Sequence, residues 1–199
     1  VTHEFIHIGR LGHAPRSDTL PHEPLLALKK RRYALQFEAT GRSMRERVVL
    51  KWGGGLITEK DQMKTVRTDV LDQLTDQLHA CLEQGFEVIL VHGAGSFGHL
   101  KAKQYKLADG LLPNVEFQPL SQRDAIEEVR NDMLELNQHV MDALTRRDIS
   151  AVAIPPHQWA KGTGPDFEGD LTFFEQAPRG IVMVTFGDVV ECDHPRQFG

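Results

Sequence analysis

The chain has 199 residues, 40% hydrophobic and 26% charged, with a formal net charge of −5, the balance of a globular chain long enough for one well-filled core. The acidic balance argues against a general nucleic-acid surface, and no apolar run approaches the roughly 20 residues needed to cross a bilayer. The only two cysteines, Cys81 and Cys192, form no CxxC pair, which argues against a disulfide framework or zinc site and fits a reducing cytoplasm.

Residues 1–46 read as an extension expected to be poorly ordered. Four of the ten histidines (His3, His7, His13, His22) fall here, with Pro15, Pro21, Pro24 and the basic run Lys29-Lys30-Arg31-Arg32. No period of 3.6 or 2 runs through the segment. The alternative is a metal-binding or targeting leader, but the histidine spacings match no metal motif. A short helix over 24–37 is compatible with the pattern. Val1 in place of Met, and an ending in Arg196-Gln197-Phe198-Gly199, suggest a piece of a longer chain.

From Arg47 the pattern becomes regular. Val48 to Trp52 reads as a strand and Gly53-Gly54-Gly55 as a turn. Val66 to Gln84 carries a helical stripe of Val70, Leu71, Leu74, Leu78, Cys81 and Leu82, stopped by Gly85. Glu87 to His92 is a second strand. His92-Gly93-Ala94-Gly95-Ser96-Phe97-Gly98-His99 is a glycine-rich turn, and a helix is expected from Leu100. A long helix over 121–147 presents Ile126, Val129, Met133, Leu136, Val140, Met141 and Leu144 on one side. Ile149–Ile154 and Gly180–Phe186 read as further strands. Alternating strands and helices predict an α/β fold with a mainly parallel sheet covered on both faces. The two glycine turns then fall on one edge of that sheet, at the carboxyl ends of the strands.

Two such turns on one edge suit an anion. A strand, a glycine turn and a helix N-terminus present backbone N–H groups, and glycines let a phosphate approach closely. Lys51, at the end of the first strand, would add a cationic grip on a transferring phosphate, unless it is merely solvated at a tight turn. Lys60 could fold back over the same phosphate or stand as a surface lysine beside Glu59 and Asp61. His99 could donate to a phosphate oxygen or pack on Phe97. His92 is expected to bond nearby backbone. Asn137 is either a buried anchor or on the wet side of its helix. Asp188, after the last strand, could hold a loop or a metal-bound water, or sit in a plain turn. Asp166, Glu168 and Asp170 read as solvated. No GxxxxGK[ST] occurs, and no acidic residue of ribose-binding type follows Gly93–Gly98 at the spacing a dinucleotide fold needs.

Together these residues resemble the isopentenyl phosphate kinases, a branch of the amino acid kinase superfamily. Lys51-Trp52-Gly53-Gly54-Gly55-Leu56-Ile57-Thr58-Glu59-Lys60 is similar to that family's K-L-G-G-S-x-I-T-x-K. Val91-His92-Gly93-Ala94-Gly95-Ser96-Phe97-Gly98-His99 is similar to its V-H-G-[GA]-G-[SA]-F-G-H. The match continues through Ala102, Tyr105, Asp109-Gly110, Leu136-Asn137 and Gly187-Asp188-Val189-Val190, covering about residues 47–194. The resemblance implies a three-layer αβα sandwich over 47–199, truncated before the later part that supplies most of the nucleotide base and ribose site. It also implies ATP-dependent, magnesium-assisted phosphorylation of isopentenyl phosphate. Lys51, Gly53, Gly54 and Gly55 would face the ATP phosphates and Gly95 the ATP. Lys60 would stabilise the transferring group. Ala94, His99 and Gly187 would meet the substrate, and no protein metal ligand is assigned. The long helix offers Val129, Met133, Leu136 and Val140 as candidates for the apolar tail, each facing either a pocket or the sheet. The departures are Gly55 for the family's serine and Trp52 for a smaller residue. A sibling kinase acting on another small phosphate or phosphonate, or an inactive phosphometabolite-binding piece that persists by dimerising, are the rival expectations.

Overall fold

The computed structural model describes residues 5–6, 46–112, 114–162, 166–176 and 178–191. The histidines and basic run of the extension, its expected helix over 24–37, and Cys192 lie outside the described residues. Within them, a five-stranded sheet runs in the order β1-β2-β3-β7-β4. Its members are β1 (Phe5–Ile6), β2 (Arg47–Trp52), β3 (Glu87–His92), β4 (Ala151–Ala153) and β7 (Val182–Phe186), and every neighbouring pair is parallel. The short edge strand β1 comes from the segment read as an extension with no regular period. A separate antiparallel pair joins β5 (Ala160–Lys161) to β6 (Glu168–Gly169).

Helix α1 (Gly54–Ile57) is a single turn, α2 spans Thr68–Glu83, α3 Gly95–Gln104, α4 Gln122–Thr145 and α5 Thr172–Glu175. Two boundaries differ from expectation in the same way. The first glycine turn already closes into α1, with Leu56 N donating to Gly53 O at 2.9 Å. The second opens directly into α3 at Gly95 rather than at Leu100. Glycine is a poor helix former, so propensity hides both helix starts, and tertiary contact imposes them. Elsewhere the pattern is followed closely. Leu71, Leu74 and Leu78 of α2 are buried. Ser121 caps α4, its Oγ accepting from Asp124 N at 3.2 Å, a cap of the usual N-terminal kind.

In-register parallel partners share a face of the sheet. Trp52, His92 and Phe186 therefore point one way, and Lys51, Val91 and Thr185 the other. The first face is the core, where Val88, Leu90, Val182 and Val184 pack with Leu74 and Leu78 of α2, Phe97 of α3 and Val129, Met133, Leu136 and Val140 of α4. On the other face Arg47 Nη1 donates to Phe174 O at 2.6 Å, which brings α5 against its Arg47 end. No helix among the described residues is long and apolar enough to cross a membrane.

His92 closes β3 inside this core. It is 0% exposed and stacks on Phe186 with ring centroids 5.1 Å apart. Its Nδ1 lies 3.3 Å from Gly93 O and its Nε2 3.3 Å from the Asn137 side-chain oxygen. The expected backbone bond is present, and Asn137 proves to be a buried anchor. Burial pushes the imidazole down to about 4, against the smaller opposing effect of its two hydrogen bonds. The unfolded chain, with an ordinary histidine near 6.5, then binds a proton before the folded one does. Above pH 6.5 this group adds no pH dependence. As pH falls from 6.5 towards 4 it withdraws stability, of the order of 3 kcal/mol when complete. Denaturant unfolding at pH 7, 5.5 and 4.5 should show a shallower loss in His92→Gln than in the unaltered chain, and equal slopes would refute the assignment.

Candidate active site

Beyond the strands the backbone ladder continues for one more step. Gly93 N donates to Trp52 O at 2.9 Å, and Gly187 N donates to His92 O at 2.9 Å. The loops after β2, β3 and β7 are thereby held side by side at the carboxyl edge of the sheet. The first two interlock. A Cβ placed on Gly54 would collide with Gly95 N and stand 2.9 Å from Gly93 C, and one on Gly93 would stand 2.5 Å from Gly54 N. Only backbone fits between these turns. Gly187 is the next neighbour, its Cβ position 3.3 Å from Ala94 N.

Thr58 fastens the junction. Its Oγ1 donates to Gly54 O at 2.9 Å and accepts from Ser96 N at 3.0 Å. One buried hydroxyl thus joins the end of α1 to the first turn of α3. The neighbouring Ser96 Oγ is buried and has no hydrogen-bond partner among the described residues.

Over this junction lies a cleft of about 350 Å³, lined by Gly54, Gly55, Thr58, Lys60, Ala94, Gly95, His99 and Leu100. Six residues singled out in the sequence therefore meet in one place: Gly54, Gly55, Lys60, Ala94, Gly95 and His99. Lys60, read from the sequence either as folding back or as a surface lysine, lies over Gly55. A Cβ on Gly55 would stand 2.8 Å from Lys60 Cε, so the position where the resembling family carries serine is here the bed of the lysine stem. His99 is exposed on α3 and faces the cleft, while Phe97 pairs with His139 instead, centroids 6.2 Å apart. Lys51 is exposed at the same edge but belongs to the other face of the sheet and is not part of the lining. Gly53 has open space around it. The four residues expected to receive an apolar tail, Val129, Met133, Leu136 and Val140, are at most 3% exposed and belong to the core. The one large apolar side chain in the lining is Leu100.

Asp188, for which holding a loop was one of the sequence readings, does so: its Oδ2 accepts from His157 Nδ1 at 2.6 Å, and its Oδ1 from Val189 N at 2.8 Å. Sequence reasoning missed two supports. The first is Thr58, part of a quoted motif but given no role. The second is a run of charges. Lys64 meets Asp132 at 2.8 Å and Glu135 at 2.5 Å, while Lys101 meets Asp132 and Glu128, both at 2.7 Å. The bond to Asp132, then that to Glu135, holds Lys64 above the usual lysine value. For Lys101 burial pulls downward, but its bonds to Asp132 and Glu128 together outweigh it. The expectation that Asp166, Glu168 and Asp170 are solvated agrees with their exposure.

The interlock makes a sharp contrast between neighbouring glycines. Gly54→Ala should lose at least about 2 kcal/mol through overpacking, a fall in Tm of roughly 4–8 °C for a chain of this size. Gly53→Ala, with extended backbone (φ −63°, ψ 136°) and nothing within 4 Å, should leave Tm within about 2 °C. Thermal unfolding of the two variants side by side checks this, and equal shifts would contradict it.

Comparison with known proteins agrees with this architecture. Residues 46–199 match the amino acid kinase family. The isopentenyl phosphate kinase of Methanothermobacter thermautotrophicus is 30% identical over 146 residues, 72% of this chain and 53% of the relative. That of Methanocaldococcus jannaschii is 29% identical over 160 residues, 73% of this chain and 56% of the relative. A solved isopentenyl phosphate kinase superposes with a TM-score of 0.63 at 29% identity, covering 73% of this chain and 59% of that one. The T. acidophilum enzyme in its product complex gives 0.57 at 27%, covering 73% and 56%. The chain therefore spans about half the length of the curated relatives it matches. With an α/β fold, a parallel sheet and two glycine turns interlocked at one edge, it belongs to the amino acid kinase family.

Proposed function

We propose that this chain carries the acceptor-binding part of a kinase that transfers the γ-phosphoryl group of ATP to isopentenyl phosphate, giving isopentenyl diphosphate. The observation that carries this reading is the single cleft in which two backbone cradles, Lys60 and His99 converge. The names of the relatives support the choice of acceptor.

The attacking group would be an oxygen of a phosphate that is already anionic at neutral pH, so the site needs no general base. Its task is to bring two polyanions together and to stabilise charge as it redistributes. The residues suit that task. Gly54, Gly55, Ala94 and Gly95 leave room for phosphate oxygens beside main-chain atoms, and Ser96 Oγ is a buried hydroxyl without a protein partner in the same turn. In this reading His99 and Ala94 hold the acceptor phosphate, with Gly187 beside them, and Gly95 lies between acceptor and donor. Lys60, brought in over Gly55, stabilises the group in transit. Lys51 and Gly53–Gly55 face the donor phosphates. Magnesium bound with ATP would supply positive charge to the donor phosphates, which Lys51 and Gly53–Gly55 would face. Among the described residues no three His, Cys, Asp or Glu side chains cluster to hold a metal.

One observation favours a second reading. The side chains expected to enclose an isoprenoid tail are core residues, so the cleft specifies a phosphate more clearly than what is attached to it. A sibling kinase acting on another small phosphate fits the same turns. Assay of the purified chain with Mg-ATP and isopentenyl phosphate separates the two. Formation of the diphosphate supports the first reading, and turnover only with a different phosphorylated acceptor supports the second. Binding of the monophosphate without any turnover would mark a binding module. In an active protein Lys60→Ala should lower kcat by about 100-fold. His99→Ala should raise the acceptor KM by about tenfold, and Lys51→Ala should lower turnover far more than Tm. An unchanged kcat in Lys60→Ala would remove that residue from the mechanism.

A further inference from the structure

Lys60 and His99 reach the cleft from two different elements. Lys60 stands on the loop between Thr58 and Val66. That loop is closed at its base by the antiparallel bridge of those two residues and by Glu59 N donating to Thr65 O at 2.9 Å. Its tip, from Lys60 to Lys64, is exposed. His99 stands on α3, two residues before Lys101.

Both elements are tied to α4 at one carboxylate. Asp132 is 5% exposed, and its two oxygens are divided between them. Oδ1 takes Lys64 at 2.8 Å and Oδ2 takes Lys101 at 2.7 Å. Glu135 and Glu128, one helical turn to either side, complete each lysine's coordination. The outer carboxylates Glu128 and Glu135 are about half exposed, and such partners contribute little alone. Asp132 is the sheltered member, and a buried carboxylate with two cationic donors holds both in fixed geometry. Lys64 adopts φ +53°, a left-handed conformation that a lysine leaves readily unless something holds it.

From this we infer that Asp132 is a positioning residue: by gripping Lys64 and Lys101 with separate oxygens it fixes the loop of Lys60 against the helix of His99 and so sets the width of the cleft between them. The inference deepens the proposed reaction and rests on it for the roles of Lys60 and His99. The grip itself is a property of the chain alone.

Two variants test it. Lys64→Gln alters an exposed side chain and leaves Asp132 paired with Lys101, so it should fold even if Asp132→Asn does not. Hydrogen exchange of the full chain, without ligand, should show the Glu59 amide and the 60–65 segment exchanging about tenfold faster in Lys64→Gln. Exchange in α2 and α4 should stay unchanged, and Lys64→Arg should restore slow exchange. With Mg-ATP and isopentenyl phosphate, kcat should fall about tenfold while the acceptor KM changes much less, again with rescue by arginine. Unchanged loop exchange in Lys64→Gln would overturn the inference, as would a loosened loop with undiminished kcat. If the unaltered chain transfers nothing to isopentenyl phosphate, the proposed reaction falls, and the exchange and arginine-rescue results still decide whether Asp132 holds the loop.

Discussion

The site depends on a steric constraint: the backbone of Gly54 lies directly against that of Gly93 and Gly95. Strands β2 and β3 are adjacent and in register to their last residues, Trp52 and His92. The loops that leave them must therefore cross the same small volume. A side chain at the crossing would force the loops apart, because even a Cβ on Gly93 would stand 2.5 Å from Gly54 N. With none there, Thr58 can reach Gly54 O and Ser96 N together, α3 can begin at Gly95, and the lining of one cleft can be drawn from both loops. Every functional side chain discussed above is positioned relative to this contact.

The chain is acidic overall, with a formal charge of −5, yet the proposed ligands are polyanions. Positive charge must then be placed locally rather than supplied by the whole surface. Four basic side chains stand near the cleft, and the structure divides them by task. Lys64 and Lys101 are neutralised by Asp132, Glu128 and Glu135, so they fasten elements and offer a ligand little. Lys60 and His99 form no ion pair among the described residues and face the cleft. His92, which sequence proximity would place in the same group, is buried and neutral at physiological pH because its charged form is desolvated. It serves to close the core under the turns.

Much of the fold could be read from the sequence because alternation and helical stripes report burial. β3 was placed at its observed bounds, and α2, α4 and β7 differ by a few residues at their ends. Gly54, Gly55, Ala94 and Gly95 were legible as a group because glycine turns after neighbouring parallel strands must share an edge, while Lys60 and His99 joined them only through the family resemblance. Two kinds of information were not in the pattern. One is which way a helix rotates: Val129, Met133, Leu136 and Val140 form a stripe whether they face a pocket or a sheet, and only packing decides for the sheet. The other is long-range polar pairing. Asp132 lies inside an apolar stripe of α4, where its partners Lys64 and Lys101 are 68 and 31 positions away in the chain, as the sequence numbers show; no local rule joins them. Thr58 is similar, since one threonine after a one-turn helix gives no hint that its hydroxyl spans two loops.

The rotation of α4 has a consequence for acceptor choice. A Cβ on Gly98 would stand 2.9 Å from Met133 Sδ and 3.1 Å from Ala94 Cβ, so α3 and α4 approach closely just below the turn that would hold the acceptor phosphate. Met133 is a floor under that turn, and its apolar surface is already used against the core. Under the proposed reaction an isoprenoid tail therefore cannot be read by the buried stripe of α4. Among the described residues the large apolar side chain in the lining is Leu100, which follows His99 directly on α3 and is 38% exposed. Under the proposed reaction, phosphate and tail would then be met one residue step apart on one helix: the first beside a backbone junction that leaves no room for a Cβ at Gly54 or Gly93, the second at an exposed side chain. That asymmetry is a physical reason for one set of glycine turns to serve kinases with different acceptors.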